Sequence, residues 1–595
     1  MKKREDHSER EITIKKSMKR KGLALSLAAV MLLGSLAGCG QSAQTDTGTQ
    51  AAAETQNASA GTEEASGETA AAEGTEEAYD PFGKYEDEIT LSVACSSTNL
   101  VFDSSQDGYA SLDDNVWTRA YKDQLGINLD YIWTAPDDDY TTKWNVSITA
   151  GDIPDVAIVP ESIYTQLLEG GYVEDMTEYY ENYASDTYKA AVEADGGICM
   201  SYVTKDGRIM GLPHPGATPD NLEFLYIRKD WLDELGLPVP KTLDELLDTA
   251  RAFQEAGLGG ENTIGMAASG DLEDISIGDL GGIFEAYGVH RNIWVEDEDG
   301  NLVFGDVQPE VKEVLQTLQD MYKEGLISPD FAAADFDSIA AQLSSGQCGI
   351  TYGAYWVFSN LYNTETMELG DWIVTEGVTV DGSPYEASGD AAPEHFVFVK
   401  KGIEHPEAVV KMLNLQFELL AESPEVYDGH EYETEDGSLE SISALYYCLA
   451  PFLRAPWKNA EQSRAVINAL ETGDESGVLG TKNEQIYLDC KEVVVNGSKD
   501  PNLVFSYGIF GPGGVYDIVD QMREEDRIYV NKFTSSYSDF ALQNMTNMRE
   551  ILDAEYVKII MGADIDNFDK AVETWYSTGG DRITEEVNEW YQSTK

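Results

Sequence analysis

A chain of 595 residues exceeds what one hydrophobic core ordinarily serves, so two lobes or domains are expected. Its 108 acidic against 40 basic residues give a formal net charge of -68, which repels phosphate backbones and argues against nucleic acid as a partner. A hydrophobic content of 42% separates it from acidic disordered chains, which lack the apolar material to offset ordering entropy.

The N-terminus reads as a secretory signal. Lys15, Lys16, Lys19, Arg20 and Lys21 precede an apolar run from Leu23 to Leu33, followed by Leu36-Ala37-Gly38-Cys39. That run is too short for the roughly 20 residues that span a bilayer. The tetrad resembles a bacterial lipobox, which implies lipidation of Cys39 after removal of residues 1–38. Two acyl chains suffice for stable anchoring. From Gln41 the chain is mostly Ala, Glu, Thr, Gly and Ser with no aromatic side chain until Tyr79, so residues 39–82 read as a self-repelling acidic tether. Cys95, Cys199, Cys348, Cys448 and Cys490 remain, an odd number with no C-x-x-C pair, which points to neither a zinc site nor a disulfide framework.

From Ile89 onward, short apolar strands alternate with amphipathic helices, the pattern of an α/β layer fold. Ile89–Ala94 reads as a strand, Asp114–Leu125 as a helix closed by Gly126, Ile127–Ile132 as a second strand and Asp155–Pro160 as a third. Asp103, Ser105, Asp107, Gly108 and Asp114 match part of a calcium loop, but Ser111 and Asp114 also form a helix-start box, the simpler reading. A helix follows Pro240, with Thr242 and Glu245 as a capping box, Leu243, Leu246, Leu247, Ala250 and Phe253 on one face, and Gly257 as its stop. Asp297–Asn301 reads as a hairpin turn. A second helix runs from Pro309 to Gly325 and a third lies near Ser338–Leu343, leading into a strand at Cys348–Tyr352.

No nucleophile elbow, H-E-x-x-H, phosphate loop or dinucleotide fingerprint is present. Any carboxylate pair chosen among 108 acids is uninformative about glycoside hydrolysis. Aromatic residues such as Trp117, Trp133, Tyr226, Tyr355, Trp356, Trp457 and Tyr507 recur in predicted loops and suit the apolar faces of sugars; core packing is the competing explanation for each.

Gly151-Asp152-Ile153-Pro154-Asp155, Asp206–Pro213, Tyr226–Leu232 with Leu235–Pro238, Tyr322–Ile327, Ile559–Gly562, and Gly579-Gly580-Asp581 with Glu586-Val587-Asn588 occur in one order along the chain. Together they resemble the family 1 extracellular solute-binding proteins, in the large lipoprotein branch of carbohydrate importers, over about Ile89 to Tyr591. The resemblance implies a two-lobe periplasmic-binding-protein-like fold of type II, its lobes joined by crossing hinge strands. It implies lobe 1 at residues 83–220 and 352–450, lobe 2 at 221–351 and 451–595, and crossovers near Ala217–Phe224 and Thr351–Gly353. It also implies a monomer outside the cytoplasm that binds a carbohydrate, an oligosaccharide, in the cleft between the lobes and hands it to the permease subunits of an ABC importer, without catalysis or a cofactor. Tyr226, Tyr352, Tyr355, Trp356 and Trp457 are then the foremost ligand contacts, with Asn99, His214, Asp390 and Tyr507 behind them. Many relatives carry a calcium loop after the helix that here ends at Gly257; Leu258–Ile264 offers too few carboxylates, so no metal is expected there. The scarcity of Lys and Arg favours neutral or weakly charged glycans. A surface-anchored glycan-degrading enzyme and a peptide-binding or sensor protein are the competing readings.

Overall fold

The computed structural model describes residues 79–595 apart from 217–221, 273–275, 364–367, 390–391, 394, 434–438 and 452. Cys39, the signal, most of the tether and Asp390 lie outside the described residues.

The first lobe opens as expected from its sequence. Strand β1 (Ile89–Ser96) leads to a helix α1 (Val116–Ala120), which continues as a π-turn to Leu125 and stops at Gly126, whose φ of 73° is the left-handed value that favours glycine. Strand β2 (Ile127–Ala135), helix α2 (Asp137–Ala150), strand β3 (Val156–Val159) and helix α3 (Glu161–Glu169) follow. Strands β2 and β3 both lie parallel to β1, pairing Ile89 with Ile127 and Val93 with Val156. All three therefore point their carboxyl ends the same way.

The second lobe begins at β4 (Phe224–Arg228), the centre of an antiparallel three-stranded sheet. Helix α4 (Leu243–Ala256) is capped by the Thr242 hydroxyl, which accepts from the Glu245 amide at 3.2 Å. The Glu245 carboxylate reaches back to the Lys241 amide at 2.8 Å rather than to that of Thr242. Helix α5 (Val311–Glu324) buries Val311, Val314, Leu315 and Leu318. Strands β5 (Ile350–Gly353) and β6 (Trp372–Thr375) flank β4, pairing Phe224 with Gly353 and Arg228 with Trp372. Strand β7 (Ala387–Gly389) closes this part.

Strand β8 (Phe396–Val399) returns to the first sheet, antiparallel to β3, giving the strand order β8-β3-β1-β2. The return expected at 351–353 is therefore corrected: β5 and β6 both pair with β4, so residues 352–389 stay with the second lobe, and the crossing lies between β7 and β8.

Helix α6 (Glu407–Glu422) is buried along most of its surface and carries polar groups that bind the start of the folded chain. Asn414 donates to the carbonyls of Pro81 and Tyr183, and Lys411 donates to Gly83 while lying 4.6 Å from the Tyr85 ring. Helix α7 (Lys458–Thr472), strand β9 (Ile528–Val530) and helix α8 (Asp539–Ile560) follow in the second lobe, whose core also takes Phe568, Trp575, Ile583 and Val587 from two last helices. There Gln319 of α5 donates to the carbonyls of Ile559 and Ala563 at the end of α8.

The central strands of both sheets are buried on both faces. Val93 and Ala94 of β1 serve two separate hydrophobic clusters, as do Tyr226 and Ile227 of β4. Among the described residues, core membership changes lobe between Leu212 and Leu222, between Ala387 and Phe396, and between Leu453 and Ala460.

Candidate functional site

Open α/β sheets take ligands in the crevice beyond the carboxyl ends of their parallel strands. At that end of the first sheet lies a cavity of about 350 Å³, lined by Ser96 at the end of β1 and Asn99 after it, Asp137, Tyr140 and Thr141 of α2, and Ile158 and Pro160 at the end of β3. This volume lies within the ~300–1,000 Å³ typical of small-molecule sites. Tyr446, Tyr447, Leu449 and Pro451 form a further wall, and His395 enters from the residue before β8.

The walls are fixed by hydrogen bonds that leave some polar groups for a ligand. Tyr140 donates to the Ile158 carbonyl at 2.9 Å, Tyr447 donates to the Val101 carbonyl, and Ser96 donates to Asp137 at 2.5 Å. Tyr447 also stacks on Phe102 with ring centroids 5.1 Å apart. Burial holds the Tyr131 and Tyr140 hydroxyls above the usual tyrosine range, so both remain protonated.

The passages between the lobes converge here. His214, on the first, is buried and donates Nε2–H to the Pro451 carbonyl at 3.1 Å; a carbonyl only accepts, so the proton sits on Nε2. Its ring lies 6.0 Å from that of His395 on the second passage. Arg454, near the third, donates its amide to the Pro215 carbonyl at 3.4 Å.

Burial, reinforced by His395, pushes the His214 pKa down to about 4. A histidine in the unfolded chain titrates near ~6.5. Below that pH the unfolded chain takes up a proton that the folded protein refuses. The stabilisation is thus complete above pH ~6.5 and lost as the pH falls towards 4, by ~3 kcal/mol in all. Urea unfolding of wild type and His214→Gln at pH 7 and pH 4 should show the wild type losing about that much more; equal losses contradict the assignment.

Of the expected ligand contacts, Asn99 lines the cavity and His214 lies behind it. Tyr226 and Tyr352 are corrected to core side chains: each is 0% exposed, and Tyr226 donates to the Ala354 carbonyl at 2.7 Å. A sheet buried on both faces consumes these rings. Tyr355 and Trp356 are half-buried on the second lobe, 5.7 Å from Tyr516 and 5.9 Å from Phe336 respectively, and neither lines the cavity. Trp457 donates Nε1–H to Ala194 of the first lobe at 3.0 Å and lies beneath Arg523 at 4.2 Å, so its indole bridges the lobes. Tyr507 donates to the Pro512 carbonyl at 3.3 Å and packs on a separate small core. Trp117 is also fully buried, donating Nε1–H to the Ala444 carbonyl at 2.9 Å.

Sequence reading missed Asp137, Tyr140, His395 and Tyr447. The first two follow the end of β2, and the strand-end rule would have singled them out. In the Asp103–Asp114 loop, Arg119 pairs with Asp107 at 2.9 Å and Asp114 at 2.6 Å, in keeping with the helix-start reading. Among the described residues no group of three or more His, Cys, Asp or Glu side chains is arranged to hold a metal ion.

The buried carboxylates Glu223, Asp279 and Glu285 lie apart from the cavity. Burial raises the pKa of each. Gly282 donates to Glu223, Gly281 to Asp279, and Tyr385 and Ser388 to Glu285, so all three are engaged within the second lobe.

Residues 103–415 match the family model for the bacterial extracellular solute-binding protein, more than half of the chain. The chain belongs to that family. As a solute-binding protein it resembles the polygalacturonan/rhamnogalacturonan-binding protein YtcQ of Bacillus subtilis, at 23% identity over 78% of this chain and 86% of the relative. It is equally similar to lipoprotein LipO of Bacillus subtilis, 23% identical over 80% of this chain and 89% of that one. In fold it matches the Streptococcus pneumoniae substrate-binding protein FusA in complex with kestose, with a TM-score of 0.54 and 16% identity over 85% of this chain and all of that one. The strand order of the first sheet and this likeness agree on the type II two-lobe architecture.

Proposed function

We propose that this solute-binding protein captures an oligosaccharide in the cavity beyond β1 and β3 and passes it intact to the permease of an ABC importer. The observation that carries the proposal is the convergence of that cavity with the passages between lobes. His395 and Pro451 line it and His214 supports it, so a ligand seated there touches the segments whose rotation would close one lobe on the other. The chemistry suits a sugar. Aromatic and aliphatic walls meet C–H faces, while Asn99, Ser96 and Thr141 supply groups for ring hydroxyls. The names of YtcQ and the FusA complex, both carbohydrate binders, support the same class.

Cys39 would carry the lipid that holds the protein to the outer face of the cell membrane, a reading supported by the lipobox and by the likeness to LipO. The protein would act without catalysis, since family members and relatives are binding proteins. Mixing the purified protein with a glycan panel should change its intrinsic tryptophan fluorescence with at least one oligosaccharide, and mass spectrometry should recover that sugar at its original length. Silence across the panel, or shortened chains, contradicts the proposal.

A further inference from the structure

The relatives leave the charge of the ligand open: YtcQ is named for an acidic polymer, whereas FusA was solved with the neutral sugar kestose. The cavity itself discriminates. Among the described residues that line it, Asp137 is the sole carboxylate, and neither Lys nor Arg takes part. Arg454 acts on His214 from outside the lining.

Asp137 is the first residue of α2 and is solvent-exposed. The positive end of a helix of this length ordinarily favours an anion. Here the chain's own carboxylate already occupies that end, held by the Ser96 hydroxyl at 2.5 Å, while the Asp137 amide donates to Thr98 Oγ1 at 2.8 Å. A uronate entering the cavity would shed water, meet no lysine or arginine, and face a like charge. An uncharged pyranose or furanose also sheds water from its hydroxyls, but it has no charge to desolvate and meets no repulsion.

We infer that the cavity accepts the uncharged end of an oligosaccharide and rejects uronates, with Asp137 as the residue that discriminates. This rests on the oligosaccharide-binding reading above. The test is calorimetric titration of the purified chain with kestose, maltotriose, cellotriose, xylotriose and mannotriose, and with trigalacturonate and trimannuronate at matched concentration and salt. The expected result is that the best neutral trisaccharide binds at least about 100-fold more tightly than either uronate. In Asp137→Asn that ratio should narrow on the order of tenfold, more at low than at high salt. Uronate binding equal to or tighter than the best neutral sugar in the wild type overturns the inference while leaving the binding function intact. That wild-type ratio decides the matter even if the variant fails to fold. An unchanged ratio in folded Asp137→Asn overturns the role of Asp137, and binding of neither series removes the oligosaccharide reading and the inference together.

Discussion

Thr141→Trp should lower oligosaccharide affinity by at least about 100-fold, close to 3 kcal/mol, while leaving thermal stability nearly unchanged. Thr141 lines the cavity from the exposed face of α2. An indole there fills space that a sugar ring needs, in a cavity of only about 350 Å³. Exposed substitutions of this kind ordinarily alter stability by no more than ~0.5 kcal/mol, so lost binding with an unchanged melting temperature would isolate the site from the fold. Undiminished affinity in a folded Thr141→Trp protein would show that the ligand sits elsewhere.

Arg291→Ala should reduce the unfolding free energy of the second lobe by ~3–5 kcal/mol. Arg291 is almost wholly buried, pairing with Asp306 at 2.8 Å and Asp553 at 2.5 Å, and donating to the Leu272 carbonyl at 2.7 Å. Asp306 also accepts from the Asn292 amide at 2.6 Å, and Tyr556 of α8 donates to the Asp306 backbone carbonyl at 2.5 Å. The guanidinium thus ties the segment before α5 to α8. Its removal leaves two carboxylates in the interior without their cation, and Arg291→Lys should recover only part of the loss because a point charge cannot serve both. Urea unfolding measures the difference; a loss below ~1 kcal/mol would contradict the network's importance.

Features with local causes were legible in the sequence. Helix α4 announced itself through Thr242, Glu245 and Gly257, and β1, β2 and β3 through short apolar runs set off by turns. What the chain does over longer distances was less visible. Strand β6 begins at Trp372, yet it pairs with Arg228 of β4, and nothing near residue 352 signals that the chain will remain in the second lobe. Tyr226 and Tyr352 illustrate the same difficulty on a smaller scale. Their aromatic character fits both a sugar platform and a core, and only the burial of β4 and β5 on both faces decides for the core.

The candidate site was legible only in part. Asn99 entered only as a weaker candidate implied by the family resemblance, and its place beyond the end of β1 is where parallel sheets bind ligands. The Tyr446–Pro451 wall and His395 belong to segments without periodic pattern. Their approach to Ser96 depends on β8 returning to the first sheet after more than 200 residues spent largely in the other lobe. Trp457 had the right chemistry for a sugar, but its indole N–H is engaged by the Ala194 carbonyl across the lobes.

The most direct measurement is a crystal structure of the protein with an oligosaccharide selected from the panel. An unbroken sugar is expected, with its terminal ring in the cavity, within hydrogen-bonding reach of Asn99 and against Tyr447 and His395. A sugar bound elsewhere with this cavity vacant, or a cleaved product in its place, would contradict it.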